Sequence, residues 1–209
     1  MLKAILISNN IEGLENYFQS NEKVSYEISH VTKHFYPDLS SYDLLIVPNG
    51  SDQVAMGKIK DKVKDFLDEG KALICCDGWF TNWVPGNQWR MDNDKKTIDI
   101  RYFVKDDPHG FFKGLDVNEF IFSHGISGYW ACGYIVAAEN ATVILEDTWQ
   151  RPIIVLDEKT TNGLMFLTAS GPLGDMTFDG KESKKQSSLV KLYQHVIDYL
   201  ITVKKQAYA

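Results

Sequence analysis

The chain has 209 residues and a net charge of −6, with a pI near 5.4. This acidic balance excludes general nucleic-acid binding, which needs a basic face to displace counterions from phosphates. No apolar run approaches the roughly 20 residues that cross a bilayer, so no membrane segment is predicted either.

Strands and helices alternate over residues 1–78. The predicted strands are residues 3–8, 24–31, 42–47 and 71–76, and the predicted helices are residues 11–18 and 51–69. The second helix has candidate caps in Ser51 and Asp52, and Gly70 ends it. Its predicted buried stripe is Val54, Ile59, Val63, Phe66 and Leu67. This alternation favours a mainly parallel sheet with helices on both faces and strand order 2-1-3-4.

The second half of the chain is richer in short strands. Residues 79–94 are loop-like. Strands are predicted at residues 97–104, 119–123, 134–136, 142–146, 153–156 and 164–168. Residues 187–203 close the chain as an amphipathic helix. We therefore expect one α/β domain over residues 1–209, a flavodoxin-like three-layer sandwich.

Small or polar residues follow four of the predicted strands. Asn9 follows the first strand, Asn49 the third, Asp77 the fourth and Ser170 the last. Ligands of open α/β sheets bind outside the carboxyl ends of the strands, so these residues are candidates for a small-molecule site. Turn-forming residues also end strands for purely local reasons, and that alternative stays open.

Tryptophans cluster after the fourth strand, in the segment WFTNWVPGNQW. Indole rings stack on sugar faces, so Trp79, Trp83 and the later Trp130 are candidate ligand-binding residues. The alternative is a lid that buries its own aromatic side chains against the edge of the sheet.

Two histidines lie in segments rich in turn residues. His124 stands among glycines in FSHGISGYWACGY and is a candidate catalytic residue beside Asp77, whereas His109 in DDPHG is a candidate ligand-binding residue. Structural roles are the alternative for both. These three residues could form a mixed oxygen–nitrogen metal set, but no close histidine pair supports it, so neither a metal nor a cofactor is predicted.

The segment ALICCDGWF delivers Cys76 to the end of a predicted buried strand. Cys76, Asp77 and Gly78 have the C-x-G spacing of a nucleophile elbow, which makes Cys76 a candidate catalytic nucleophile. The alternative is that Cys75 and Cys76 pack as small hydrophobic residues.

Three segments give the chain a family resemblance: YDLLIVPNG, DEGKALICCDG and NGLMFLTASGPLGD. In their order and pattern they resemble the class I glutamine amidotransferase-like superfamily, and most closely its ThuA-like (trehalose utilisation) branch. The resemblance implies that fold over the whole chain and a role in carbohydrate metabolism.

The same resemblance aligns the amidotransferase nucleophile with Cys76. The G-x-C-x-G pentad of that family reads Ile74-Cys75-Cys76-Asp77-Gly78 here, so its first glycine is missing. The family's histidine and glutamate follow the last core strand, where this chain has Ser170-Gly171-Pro172. A thiol without an oriented base is a poor catalyst of glutamine hydrolysis, so that activity is not expected.

Three functions remain open. The first is a ThuA-like protein that binds or transforms a small, carbohydrate-related molecule. The second is a hydrolase or glyoxalase-like enzyme that depends on Cys76, and the third is a non-catalytic partner-binding module. The expected partner is a small molecule such as a sugar, and a homodimer is left open.

Three cysteines, two of them adjacent, suggest no disulfide framework and indicate a reducing cytoplasm. The site prediction is that six residues converge in one cavity: Asn49, Cys76, Asp77, Trp79, His124 and Ser170.

Overall fold

The computed structural model describes residues 1–8, 15, 17–48, 51–76, 78–92, 94–125, 131, 133–170 and 188–207. The strands are β1 (Leu2–Ser8), β2 (Val24–His30), β3 (Leu44–Val47), β4 (Ala72–Cys76), β5 (Gln88–Met91), β6 (Tyr102–Val104), β7 (Gly133–Val136), β8 (Thr142–Asp147), β9 (Pro152–Asp157) and β10 (Leu164–Thr168). The helices are α1 (Gln53–Lys58), α2 (Lys60–Asp68) and α3 (Ser188–Ala207), with 3₁₀ segments at Thr97–Asp99 and Val117–Gly125.

An eight-stranded sheet in the order β2-β1-β3-β4-β10-β9-β8-β6 forms the centre of the molecule. Its first five strands are parallel, and β9, β8 and β6 continue it in antiparallel fashion. The predicted order 2-1-3-4 is confirmed, as is the parallel pairing of β3 with β4. The antiparallel part follows from short connections such as residues 158–163, which are too few for a parallel crossover.

Helices cover a sheet whose central strands are buried along their whole length. Every residue of β3, β4 and β10 is buried, as expected for parallel strands covered on both faces. Helix α3 buries the predicted stripe, Leu189, Leu192, Val196, Ile197 and Leu200. This arrangement is the predicted flavodoxin-like α/β sandwich.

The helix predicted at residues 51–69 is divided into two. Its backbone breaks at Ile59, where φ is −105° and ψ is 12°, so α1 and α2 are separate elements. Asp52 caps α1 as predicted, since its carboxylate accepts from the backbone N–H groups of Val54 and Ala55, each at 2.9 Å. Val54 is 69% exposed, so its predicted burial is wrong. Five residues separate it from Ile59, which places it about 140° away around a helix.

Three predictions for the second half are corrected. The strand predicted at residues 97–104 is limited to β6, because residues 97–99 form a 3₁₀ turn in which the Asp99 N–H donates to the Lys96 carbonyl oxygen at 3.0 Å. Residues 119–123 belong to a 3₁₀ segment rather than a strand, because the Asp116 carboxylate accepts from the Asn118 N–H at 2.9 Å and starts a helical turn. The loop predicted at residues 79–94 contains β5, which pairs with β7 in a separate two-stranded sheet. Within the described ranges, no helix is long and apolar enough to cross a membrane.

Candidate functional site

The five parallel strands end at one edge of the sheet, here called the carboxyl edge. Strand β1 lies between β2 and β3. The connection from β1 to β2 therefore runs to one side of β1, and the connection from β2 to β3 brings the chain back to the other side. Such a reversal of strand order opens a crevice outside the carboxyl ends of β1 and β3, where α/β proteins bind their ligands. Asn9 and Asn49, which follow these two strands, lie outside the described residues, as do Asp77 and Trp130.

Cys76 and Ser170 reach this edge on neighbouring strands. Cys76 is aligned with Thr168 in the parallel pair β4–β10, and the Thr168 hydroxyl donates to the carbonyl oxygen of Ser170. The side chain of His124 lies outside the described residues, although its backbone belongs to the 3₁₀ segment Val117–Gly125. Convergence of all six predicted residues in one cavity therefore stays a prediction.

The thiol of Cys76 is buried beneath α3. Cys75 and Cys76 are not in a disulfide, and Cys76 is only 3% exposed. Its neighbourhood includes Tyr193 of α3. Burial is the main cause that raises the pKa of Tyr193 well above its usual value, and Tyr26, Tyr17 and Cys76 add smaller effects. Cys76 is thus close enough to Tyr193 to contribute to the raised pKa of that phenol.

Among the histidines with described positions, His30 and His109 lie away from Cys76. His30 ends β2, three strands from β4, which corresponds to about 14 Å across the sheet. His195 on α3 is within 2.7 Å of the Phe111 carbonyl oxygen through Nδ1. His109 lies at the opposite edge, because its partner Glu158 follows the antiparallel β9.

His109 belongs to a compact polar cluster at that opposite edge. Its Nε2 is 3.2 Å from Glu158 Oε2 and 3.0 Å from the Tyr199 hydroxyl, which donates to Glu158 Oε1 at 2.6 Å. The rings of His109 and Tyr199 stack at 4.2 Å. The structure therefore separates His109 from Cys76 and Ser170, and this cluster ties α3 to the end of β9.

The tryptophans after β4 are buried rather than displayed. Trp83 is 2% exposed and its Nε1–H donates to Gln53 Oε1 at 3.0 Å. Trp89 is 5% exposed and donates to the Ala169 carbonyl oxygen at 3.2 Å. Trp79 is 1% exposed, and its Nε1–H has no hydrogen-bond partner in the described part of the chain. Described residues thus supply acceptors for two of these three indole donors and none for that of Trp79.

Phe80 is an aromatic residue of this edge that the sequence did not single out. It is 63% exposed, and its ring centre lies 4.9 Å from that of Trp89 in an edge-to-face arrangement. Gly78, with φ of +72°, makes the turn that precedes it. The sequence feature that could have identified Phe80 is its position two residues after Gly78, inside the aromatic segment WFTNWVPGNQW.

A second polar group that sequence reasoning missed stands at the ends of β1 and β2. The Ser8 hydroxyl donates to Glu15 Oε1 at 2.5 Å, and Nδ1 of His30 is 3.4 Å from the same oxygen. His30 is the last residue of β2. Asn9 was selected as a candidate because it follows a strand, and the same criterion of position at a strand end could have identified His30. Over the described residues, no group of three or more histidine, cysteine and acidic side chains could hold a metal ion.

Comparisons with known proteins establish the fold. No protein-family model and no curated protein matches the sequence. A cytoplasmic protein of Salmonella typhimurium LT2 is similar in structure, with a TM-score of 0.57 and 13% identity over 96% of this chain and 99% of that chain. A glutamine amidotransferase of Thermotoga maritima has a TM-score of 0.53 and 11% identity, over 81% of this chain and 75% of that chain. The predicted class I glutamine amidotransferase-like fold is confirmed.

Proposed function

We propose that this protein is a ThuA-like member of the superfamily that binds a small, carbohydrate-related molecule at the carboxyl edge and has no glutamine amidotransferase activity. The observation that carries the proposal is the buried Nε1–H of Trp79, which has no acceptor among the described residues.

An unpaired indole donor is costly in a folded protein. Leaving a buried N–H without an acceptor costs about 1–3 kcal/mol, and native structures satisfy most such groups. Trp83 and Trp89 in the same segment have acceptors in Gln53 and Ala169. A ligand hydroxyl, carbonyl or carboxylate oxygen would supply the acceptor that no described residue provides for Trp79.

Phe80 adds a second recognition element beside Trp79. Its ring is exposed to solvent and is held in place by edge-to-face contact with Trp89. Aromatic faces pack against the C–H faces of sugars while nearby donors bind the hydroxyl oxygens. An apolar ring next to a fixed donor therefore suits a carbohydrate-related ligand.

The chemistry around Cys76 supports the absence of amidotransferase activity. A thiol nucleophile needs access to substrate and a base that is itself held in place. Cys76 is buried, and the residue after β10 is Ala169 followed by Ser170, with no histidine in the sequence between Ser170 and His195. A Cys76-dependent hydrolase or glyoxalase-like enzyme stays a prediction with less support.

Two further expectations belong to this proposal. The reduced thiols of Cys75 and Cys76 and the structural similarity to a cytoplasmic protein support a cytoplasmic location. A homodimer and a non-catalytic partner-binding role remain predictions, and gel filtration with light scattering tests the first of them.

Ligand binding is tested with a panel of mono- and disaccharides, using the shift in melting temperature and then calorimetry. We expect at least one sugar to bind the native protein. Trp79→Phe should weaken that binding about tenfold through loss of one hydrogen bond to the ligand, and Phe80→Ala should also weaken it. Trp83→Phe is the matched control, because its N–H already has Gln53 as acceptor. Absence of binding by every sugar, or unchanged binding by Trp79→Phe, would refute the proposal.

A further inference from the structure

We propose that His30, oriented by Glu15 and Ser8, is a general base at the carboxyl edge that activates water for the hydrolysis of a small acylated compound. The inference rests on the proposed function only for the edge at which the ligand binds, and it adds a reaction to that edge.

The three side chains meet because their strands end side by side. Ser8 and His30 are register partners at the last position of the parallel pair β1–β2. The Val31 N–H donates to the Ser8 carbonyl oxygen at 2.9 Å, which holds the two strand ends together beyond the sheet. Glu15 lies on the helical turn after β1 and reaches both side chains with Oε1.

The carboxylate decides what each imidazole nitrogen can do. Nδ1 of His30 lies 3.4 Å from Glu15 Oε1. In the proposed reaction Nδ1 holds the ring proton towards this carboxylate, and Nε2 keeps its lone pair. The side chain of His30 is 46% exposed while that of Glu15 is 22% exposed. The geometry thus combines an accessible base with a shielded orienting carboxylate, as in histidine–carboxylate pairs of hydrolases.

The location of this group matches the ligand crevice of the fold. Ser8 ends β1, and the reversal of strand order lies between β1 and β3. Trp79 and Phe80 follow β4, and His30 ends β2, three strands away, which corresponds to about 14 Å across the sheet. A ligand that contacts both Phe80 and His30 must span that distance along the carboxyl edge.

The reaction balances with water as the only co-reactant. As the water oxygen attacks the acyl carbon, Nε2 of His30 takes a proton from that water, and the imidazolium is stabilised by the Glu15 carboxylate. The bond from the acyl carbon to the leaving oxygen then breaks, and the proton passes from Nε2 to that oxygen or to solvent. The products are a carboxylic acid and an alcohol.

The probe is p-nitrophenyl acetate, assayed with the intact protein at pH 7.5 and followed by release of p-nitrophenolate. Removing a general base costs about 10²–10⁴-fold, so His30→Gln should lower the enzymatic rate to that of the uncatalysed reaction. The control is His34→Gln, an exposed histidine in the loop after β2. A native rate that exceeds the His30→Gln rate by less than threefold, or an equal loss in His34→Gln, would overturn the proposal.

Glu15 is a positioning residue and has its own measurement. Glu15→Ala should lower kcat with little change in KM. The ¹⁵N chemical shifts of His30 should show the Nδ1-protonated form in the native protein and less of it in Glu15→Ala. Unchanged ¹⁵N shifts would contradict the role of Glu15. Sugar binding and ester hydrolysis are measured separately on the native protein, so the two proposals can fail independently. Sugar binding with an ester rate equal to that of His30→Gln would refute this proposal alone, whereas a His30-dependent ester rate without binding of any sugar would refute the proposed function alone.

Discussion

The Nε1–H of Trp89 donates to the carbonyl oxygen of Ala169 at 3.2 Å. This bond joins the segment after β4 to the end of β10, two regions that are 80 residues apart in the sequence. It also fixes the ring against which Phe80 packs. The indole donor of Trp89 therefore serves the fold, whereas that of Trp79 has no acceptor among the described residues.

A pair of matched substitutions measures this difference. Trp89→Phe and Trp79→Phe remove similar buried volume, but only the first also leaves a protein acceptor, Ala169, unpaired. We expect Trp89→Phe to lower the free energy of unfolding by about 1 kcal/mol more than Trp79→Phe does. Urea unfolding of the two variants tests this. An equal or larger loss for Trp79→Phe would show that its indole nitrogen has a structural partner.

Burial of Cys76 predicts slow alkylation of its thiol. Cys76 is 3% exposed and Cys75 is fully buried, so iodoacetamide should label both more slowly than a free thiol at neutral pH. Mass spectrometry of the labelled peptides identifies the modified cysteine. In urea both thiols should react at the rate of the free thiol, which is the control. Rapid labelling of Cys76 in the native protein would instead favour the Cys76-dependent enzyme.

The lowered pKa of Asp157 predicts that the free energy of unfolding decreases in acid. Burial acts to raise the pKa of this carboxyl, but hydrogen bonds from Thr160, Asn87 and the Lys159 N–H outweigh it and lower the pKa below the usual 3.8. A lowered pKa stabilises the fold above the pKa of the unfolded chain, and that stability is lost as pH falls through the folded value. Asp157→Asn should therefore cost about 3 kcal/mol at pH 7 and much less near pH 2.

Unfolding in urea at pH 7 and in acid measures the contribution of Asp157. Asp94→Asn is the control, since its side chain is exposed and should change stability little at either pH. A cost for Asp157→Asn that is the same at both pH values would contradict the stabilising role of the ionised carboxylate.

The raised pKa values of Tyr26 and Tyr193 predict that the free energy of unfolding decreases in alkali. The hydroxyls of Tyr26 and Tyr193 are 2.5 Å apart. Burial is the largest cause that raises the pKa of each phenol. A raised pKa stabilises the fold below the unfolded value of 10.0, and this stability is lost as pH rises through the folded value. The free energy of unfolding should fall above pH 10, and Tyr193→Phe should reduce that fall. Tyr36→Phe, at an exposed position, should not.

The parallel core of the molecule was predictable from the sequence because it depends on local patterns. Continuous apolar runs mark β3 and β4, and a stripe of period 3.6 marks α3, wherever these segments end up in space. Right-handed crossovers then leave few possible orders for the first four strands. The cap at Asp52 is local as well, because its carboxylate reaches only the next turn of backbone.

Tertiary structure decided what depends on distant partners. The pairing of β5 with β7 joins residues more than 40 positions apart, so no short sequence pattern predicts this pairing. His109 and Cys76 lie at opposite edges of the sheet because β9 runs antiparallel to β10. The amino-acid composition of a strand does not indicate its direction in the sheet, so this separation could not be predicted. The meeting of Ser8, Glu15 and His30 likewise required the register of β1 with β2. Local periodicity fixes elements, whereas a site is made by side chains that only the packing of those elements brings within hydrogen-bond distance.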